Sequence, residues 1–395
     1  LAASDSSLTT LEAVGPALTT LHQDYLALKT EAEPFLWLGP FLRWVPVYGG
    51  DLASIKDLVT FSDSLLASVD MTYQALLPLV KVINESDFDT SRFSDLLVTA
   101  NPKLLDAQGK LNQAVDARNR LDVEKLSPRV RELILGLDRY IPSLQDGLIV
   151  ALEAPRLVGA TNEGPKTYLL LAQNSDELRS TGGFITAAAS LFLQDGHISS
   201  LTFHDSGFLD NWERPYPAAP WQLQQYMNSE VLILRDANWF TDFPTAALYA
   251  EYLFSFTSNH SVDGVIAFDQ QALVEILRVV GPLQVEGASE PVDANNVIAF
   301  MRASKTPTQE ELADPNWSNK VFINNITRAL LNRVFEGNLD WKQFSAAIFK
   351  VLEEHHLLFQ FDNPVMTPLL VKHGWDGAVR TGTGDFLMVV DSNVG

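Results

Sequence analysis

The sequence predicts an antiparallel helical bundle over residues 1–155, followed by an α/β domain with a mixed central sheet over residues 156–395. Three observations predict this α+β fold. Apolar residues of the first part recur every three or four positions, as on the buried face of a helix. From Lys166 onward, short apolar strands alternate with helical stretches. Asp195-Gly196 then separates two strands by a two-residue turn, which makes that part of the sheet antiparallel.

The first part is predicted to hold four long helices, which pack most simply as an antiparallel bundle. Asp5 or Ser6 is expected to cap the first helix. The other three are expected at residues 51–82, 91–121 and 127–154. Ser91 and Ser127 stand at the N-cap positions of two of them, and Pro128 follows at a first helical position.

Residues 34–50 combine large apolar side chains with several prolines and glycines. The segment is too broken for a long helix and too short to span a membrane. We interpret it as a hydrophobic connector buried against the bundle. The alternative is an exposed patch that binds a membrane surface or a partner. Because no run of about 18 apolar residues occurs, no segment is predicted to cross a bilayer.

The second part is predicted to be a mixed sheet with helices packed around it. Strands are expected at residues 167–172, 184–194, 198–204, 262–268, 283–285, 357–361 and 386–390. Helices are expected at residues 244–255, 269–279, 293–303, 318–335, 340–353 and 364–373.

Composition excludes several classes of function. The chain carries 28 basic and 49 acidic residues, a net charge of −21, which disfavours binding to nucleic acid. It has no cysteine, so disulfides, thiolate zinc sites and cysteine nucleophiles are excluded. Gly-x-Ser-x-Gly, Walker and Gly-x-Gly-x-x-Gly motifs are absent, as is His-Glu-x-x-His. The chain begins without methionine and stops after an apolar run, so we expect a removed signal or anchor and further chain beyond residue 395.

The remaining candidates are polar residues at the ends of predicted strands. Arg179 follows the first strand and precedes Gly182-Gly183, a corner that either lets the backbone approach a ligand or merely turns a hairpin. Arginine and lysine beside aspartate suit a phosphate or pyrophosphate with a divalent cation. For each residue alone, the alternative is a surface salt bridge or a helix cap. The set comprises Arg179, Asp205, Arg235, Asn238, Asp242, Arg302, Lys305 and Lys320.

Several separated segments resemble a bacterial envelope family known as a domain of unknown function. They are Leu178-Arg179-Ser180-Thr181-Gly182-Gly183-Phe184 and the segments at residues 236–244, 262–269, 373–379 and 384–393. The resemblance implies an N-terminal membrane anchor in the parent protein and a location at the cell surface. It also implies a helical stretch ahead of the α/β domain.

That family is distantly similar to the LytR–CpsA–Psr (LCP) phosphotransferases, which move glycopolymers from a polyprenyl pyrophosphate lipid onto peptidoglycan. The segments at residues 203–206, 262–285 and 299–302 carry this likeness. It implies an LCP-like α/β domain with catalytic and Mg²⁺-binding residues. By this resemblance Arg179, Asp205 and Arg302 are catalytic, Asp205 and Asp242 hold Mg²⁺, and Arg235, Asn238, Asp242, Lys305 and Lys320 bind the ligand.

This chain departs from the LCP pattern at four places. Ser304 stands in place of the second arginine of an Arg-x-Arg motif, and residues 319–324 replace an Arg-x-x-Arg-Gln-Gln stretch. Arg179-Ser180-Thr181 lacks the aspartate of the corresponding LCP turn, and His204 stands in place of an arginine. We therefore expect an exported cell-surface protein with a non-enzymatic binding or assembly role. The alternative is a divergent phosphotransferase acting on a polyprenyl-pyrophosphate-linked glycopolymer. Expected partners are a cell-wall or surface glycan, a polyprenyl-phosphate lipid or another surface protein.

Overall fold

The computed structural model describes residues 4–83, 85, 90–304, 320–336 and 339–394. It confirms the predicted fold class, since a helical region precedes a domain built on a mixed five-stranded sheet. The chain divides into two compact units, a helical unit within residues 1–157 and an α/β unit that includes residues 158–395.

The described part of the helical unit is built on α-helices of 5 to 31 residues. They are α1 (Ser4–Ala32), α2 (Gly49–Ala53), α3 (Ile55–Ile83), α4 (Thr90–Arg120), α5 (Pro128–Asp138) and α6 (Ile141–Leu157). Helix α4 buries a residue at every third or fourth position from Leu97 to Ala117, which is the spacing of coiled-coil packing. Small buried alanines let α3 approach closely, and the Ser68 hydroxyl donates a hydrogen bond to the carbonyl of Ala107 at 2.8 Å.

Three of the predicted boundaries in this unit are wrong. The helix expected at 127–154 is two helices, because Pro142 lacks the N–H that a continuous helix needs at that position. Ser91 lies inside α4 rather than at its cap, and Asp5 and Ser6 lie inside α1. Ser127 does occupy the N-cap position of α5, with Pro128 following it, although the Ser127 hydroxyl makes no capping bond.

The segment at residues 34–50 is not the buried connector that the sequence suggested. Its aromatic side chains project outward and are 58–77% exposed; they are Phe35, Trp37, Phe41, Trp44 and Tyr48. The backbone packs inward instead. It passes so close to Leu52 at Gly39 that a Cβ placed on Gly39 would lie 2.2 Å from the Leu52 carbonyl oxygen. Glycine at this position permits a close backbone contact that leaves the rings outside.

By length and composition alone, α3 also qualifies as a helix that could cross a membrane, contrary to the expectation from the sequence. Its charged residues interrupt the apolar run, so a search for uninterrupted apolar stretches passes over it. Core helices of soluble proteins meet the same criterion, and α3 buries Phe61, Leu79 and Val82 in the helical unit.

The sheet of the α/β unit has the order β3-β2-β1-β4-β5. Its strands are β1 (Lys166–Asn174), β2 (Phe184–Gln194), β3 (His197–Asp205), β4 (Gly264–Phe268) and β5 (Leu357–Phe361). Strands β1 and β4 are parallel, and the other neighbours are antiparallel. Asp195 and Gly196 both have positive φ, at 51° and 78°, as the predicted two-residue hairpin turn requires.

Helices cover both faces of this sheet. They are α7 (Trp221–Met227), α8 (Phe243–Ser258), α9 (Gln270–Val280), α10 (Val297–Ala303), α11 (Val321–Phe335), α12 (Trp341–Glu353) and α13 (Met366–His373). Leu169, Leu171 and Val265 pack with α8 on one face. Ala172 and Phe203 point to the other face, where Ile323 of α11 contacts them.

Two predicted strands form no ladder within the described part of the chain. Leu283 makes an isolated bridge to Val292, and residues 386–390 are extended without a paired neighbour there. An apolar run favours extended backbone, but a strand also needs a neighbouring edge to bond. The helix expected at 293–303 begins only at Val297, because the Asp293 carboxylate binds the N–H groups of Asn295 and Asn296 and holds a turn there.

Candidate functional site

Arg179 lies in the turn after β1 and makes a buried ion pair. Its Nη2 lies 3.3 Å from Oδ1 of Asp236, and the two side chains are 2% and 1% exposed. The guanidinium also donates to the carbonyl of Asn393 and lies 5.4 and 5.8 Å from the ring centroids of Phe184 and Trp239. A charge enclosed in this way supports the fold and offers no open face to a pyrophosphate.

Asn238 belongs to a buried polar network beside this pair. Its Nδ2 donates to Gln173 Oε1 at 2.7 Å, to Thr181 Oγ1 at 3.1 Å and to the Gly183 carbonyl at 2.7 Å. The network joins the end of β1 to the following turn and to the 3₁₀ helix Leu234–Trp239. Asn238 therefore holds the turn in shape, rather than facing a ligand.

Arg235 and Asp242 flank this network and have structural partners as well. Arg235 is 43% exposed, with its Nε 3.7 Å from Oδ2 of Asp236. Asp242 is the N-cap of α8, as the sequence predicted, and accepts hydrogen bonds from the N–H of Thr245 at 3.2 Å and its hydroxyl at 2.6 Å. Its other oxygen accepts from the N–H of Val379 at 3.0 Å.

The Asp242 cap predicts an acid-sensitive contribution to stability. Burial acts to raise the pKa of Asp242, but hydrogen bonds from Thr245 and Val379 outweigh it, and the pKa is lowered. A lowered folded-state pKa gives stability that is present above the unfolded value of about 4 and is lost as pH falls through the folded value. Asp242→Asn keeps the oxygen that accepts from Thr245, replaces the oxygen that accepts from Val379 with an NH2 donor, and removes the charge, so we expect it to cost about 1–2.5 kcal/mol near neutral pH.

Urea unfolding of both proteins across the acid range measures this prediction. The difference between wild type and Asp242→Asn should shrink as pH falls through the folded-state pKa of Asp242, and the part that remains in acid reports the lost acceptor of the Val379 N–H. A difference that stays constant with pH would mean that the charge of Asp242 does not support the cap.

An apolar cavity of about 250 Å³ lies between the second face of the sheet and helices α9, α10 and α11. All five strands contribute lining residues, since each strand turns alternate side chains to this face. Most of the lining is apolar; it includes Leu170, Leu201, Phe203, Phe268, Ile276, Met301, Phe322 and Leu330. The cavity is larger than the ~150 Å³ apolar cavity that takes up benzene, so it has room for a hydrocarbon segment.

Lys320 supplies a cation in the lining of this cavity. Its Nζ donates to the Thr186 hydroxyl at 2.6 Å and lies 3.5 Å from Oδ2 of Asp205, with the lysine side chain 10% exposed. Asn324, one turn further along α11, binds both the N–H and the carbonyl of Phe203 and so fixes this helix to the edge strand. Lys320 and Asp205 are predicted site residues that the fold does bring together.

Arg302 lies in a separate crevice of about 550 Å³, which shares Asp269 and Gln270 with the apolar cavity. Its guanidinium makes a two-point ion pair with Asp176, at 3.0 and 2.5 Å, and its side chain is 60% exposed. Asp269 caps α9 and accepts a hydrogen bond from Nδ1 of His356 at 2.7 Å. No local pattern pointed to His356, which becomes a neighbour of Asp269 only when β4 and β5 pair.

The residues that resemblance assigned to Mg²⁺ do not fit that ion. Asp242 uses its oxygens on N–H and O–H donors, and Asp205 accepts from the N–H of Gly207 and faces Lys320. Within the described part of the chain, no group of three His, Asp or Glu side chains could hold a metal ion. Lys305 lies outside the described residues.

Part of the α/β unit is similar to one known protein family. No curated protein and no solved structure matches the chain. The matched segment runs from before β1 to the end of α10 and includes Arg179, Asp205 and Arg302, whereas Lys320 lies beyond it. Over residues 163–305 the chain is similar to the family described as "Protein of unknown function (DUF4012)".

Proposed function

We propose that this is an exported cell-surface protein whose α/β unit binds an amphiphile without chemically changing it. The apolar chain of the ligand occupies the cavity between the sheet and α9–α11, and an anionic head group meets Lys320. The apolar cavity with a largely buried lysine in its lining carries this proposal. The resemblance to LCP proteins makes a polyprenyl phosphate the first ligand to test.

Charge and burial favour a head group at Lys320. The Thr186 hydroxyl and the Asp205 carboxylate contact the ammonium, so a phosphate could accept a hydrogen bond by replacing either contact. Such a charge-assisted bond contributes about 1.5–3 kcal/mol. The rest of the lining is apolar, so it stabilises the complex only by burying the hydrocarbon chain of the ligand. Burial contributes roughly 25 cal/mol for each Å² of apolar surface removed from water.

The contacts of Arg179 and Arg302 argue against the phosphotransferase alternative. That alternative needs both guanidinium groups on one pyrophosphate. Arg179 is enclosed with Asp236, and Arg302 is paired with Asp176 in the neighbouring crevice. Freeing Arg179 would leave Asp236 charged and buried, at a cost of about 3–5 kcal/mol.

Binding of farnesyl phosphate, measured by calorimetry, tests the proposal. We expect saturable binding to wild type and a loss of about 10- to 150-fold in Lys320→Met, the range that one charge-assisted bond gives. Farnesol, which lacks the phosphate, should bind wild type and Lys320→Met alike. Thr327→Phe, which places an aromatic ring of α11 in the cavity, should weaken the binding of both ligands.

Lys342→Met serves as the matched control, because Lys342 is an exposed lysine on α12 and does not line the cavity. It should bind farnesyl phosphate as wild type does. The proposal is wrong if neither compound binds wild type, or if Thr327→Phe leaves both affinities unchanged. Turnover of a polyprenyl-pyrophosphate substrate would restore the phosphotransferase alternative.

A further inference from the structure

A second pocket, of about 340 Å³, lies on the opposite face of the sheet at its β2–β3 edge. Residues 201 and 203 of β3 face the apolar cavity, whereas residues 200, 202 and 204 line this pocket. Alternate residues of a strand point to opposite faces, so the two pockets are separated by the sheet. Its polar lining consists of Ser190, Ser200, Thr202, His204, Thr257 and Ser258.

The polar lining of this pocket is mostly hydroxylic, with the imidazole of His204 beside five serine and threonine hydroxyls. None of its lining residues carries a carboxylate, an ammonium or a guanidinium group, in a chain of net charge −21. Edge strands are commonly protected by lysine or other charged side chains. Here β3 instead presents short side chains, which leave a concavity and offer both donors and acceptors. A neutral ligand with many hydroxyls would match this lining.

An aromatic platform adjoins the pocket; we use this name for Trp212, Tyr216, Phe256 and Tyr252. Successive ring centroids are 5.8, 5.2 and 4.8 Å apart. Trp212 is 69% exposed and Tyr252 is 48% exposed, so the two ends of the platform present aromatic surface to solvent.

The platform and the pocket are fixed to each other by the same loop and helix end. The Thr257 hydroxyl donates to the carbonyl of Leu209, and both residues line the pocket. Asn211 Nδ2 donates to the carbonyl of Phe256 at 3.2 Å, and the Asn211 N–H donates to the Tyr216 hydroxyl at 2.7 Å. Trp212 therefore follows a loop that is anchored at the pocket wall.

We infer that the platform and the pocket form a binding site for a neutral saccharide. A pyranose ring has a C–H face that packs on an aromatic side chain and hydroxyls around its rim. Trp212 supplies the aromatic face, Thr202 and the serines of β2 and β3 exchange hydrogen bonds with the hydroxyls, and Thr257 accepts from them while its own hydrogen stays on Leu209. This inference does not depend on the amphiphile site, which lies on the other side of the sheet.

Calorimetric titration with cellohexaose, chitohexaose, mannohexaose and maltohexaose tests the inference on the whole chain. At least one of them is expected to bind saturably with a Kd of about 1 mM or tighter. Trp212→Ala should weaken that binding at least tenfold, and Thr202→Val should weaken it by a smaller factor. Trp221→Ala is the matched control, because Trp221 is 61% exposed on α7 and lies outside the platform.

Three outcomes would overturn the inference. One is that none of the four oligosaccharides binds. Another is that Trp212→Ala and Trp221→Ala weaken binding equally. The third is that Trp212→Ala converts an oligomer to a monomer in size-exclusion chromatography without changing saccharide affinity, which would make the platform a contact between copies of the chain.

Discussion

Arg179→Met is expected to lower the free energy of unfolding of the α/β unit by about 3–5 kcal/mol. The substitution removes the positive charge and leaves Asp236, which is 1% exposed, with only the longer 3.7 Å contact to the Arg235 guanidinium as an ionic partner. It also removes the donor to the Asn393 carbonyl and the contacts with Phe184 and Trp239. Urea unfolding followed by near-ultraviolet circular dichroism measures the change.

Arg302→Met provides the matched comparison, since it also breaks an arginine–aspartate pair but at an exposed site. Solvent screens an exposed pair, so Arg302→Met should lower the free energy of unfolding far less than Arg179→Met does. The double variant Arg179→Met with Asp236→Leu should recover part of the loss, because no charge is then left buried. Equal costs for Arg179→Met and Arg302→Met would show that enclosure of the first pair is energetically unimportant.

Gly183→Ala is expected to destabilise the same unit by about 2–6 kcal/mol, combining backbone strain with overpacking. Gly183 has a φ of 137°, which residues with a Cβ rarely adopt. The added methyl would lie 2.2 Å from the Asn174 carbonyl oxygen and 2.8 Å from the Ser175 nitrogen, both of them backbone atoms. The turn between β1 and β2 would have to open, which also displaces the Gly183 carbonyl from Asn238.

Gly182→Ala separates the two contributions. Gly182 has a similar φ of 124°, but its nearest neighbour is the Gln173 side chain at 3.3 Å. This variant should therefore show the strain alone, about 1–3 kcal/mol. Urea unfolding compares the two variants. If Gly183→Ala lowers the free energy of unfolding no more than Gly182→Ala does, the backbone at Asn174 moves away from the added methyl without a measurable loss of stability, and overpacking at Gly183 contributes nothing.

Local signals predicted the parts of the fold that depend on local chemistry. Asp195-Gly196 predicted the β2–β3 hairpin, because both residues tolerate positive φ. Asp242 and Pro128 predicted helix starts from their side chains alone. Alternation of apolar and polar segments predicted the five strands of the sheet, but it also predicted strands at residues 283–285 and 386–390, which form no ladder in the described part of the chain.

The remainder depended on contacts between distant residues. Arg179 has the residue type and position of a ligand-binding group, and only the arrival of Asp236 beside it makes the pair structural. Residues 386–390 have the pattern of a strand but no partner edge within the described ranges. The outward rings at residues 34–50 follow from the backbone approach of Gly39 to Leu52, which no periodicity reveals.

The enclosure of Arg179 also orders events during synthesis of the chain. Asp236 is 57 residues and Asn393 is 214 residues further along. At about 5–20 residues per second, the carboxylate leaves the ribosome roughly 3–11 s after Arg179 and the carbonyl roughly 10–40 s after it. For most of that interval the guanidinium lacks its last acceptor. In a nascent chain whose β1, β2 and Arg179–Asp236 pair have already assembled, the Arg179 guanidinium gains its hydrogen bond to the Asn393 carbonyl only after residue 393 has emerged.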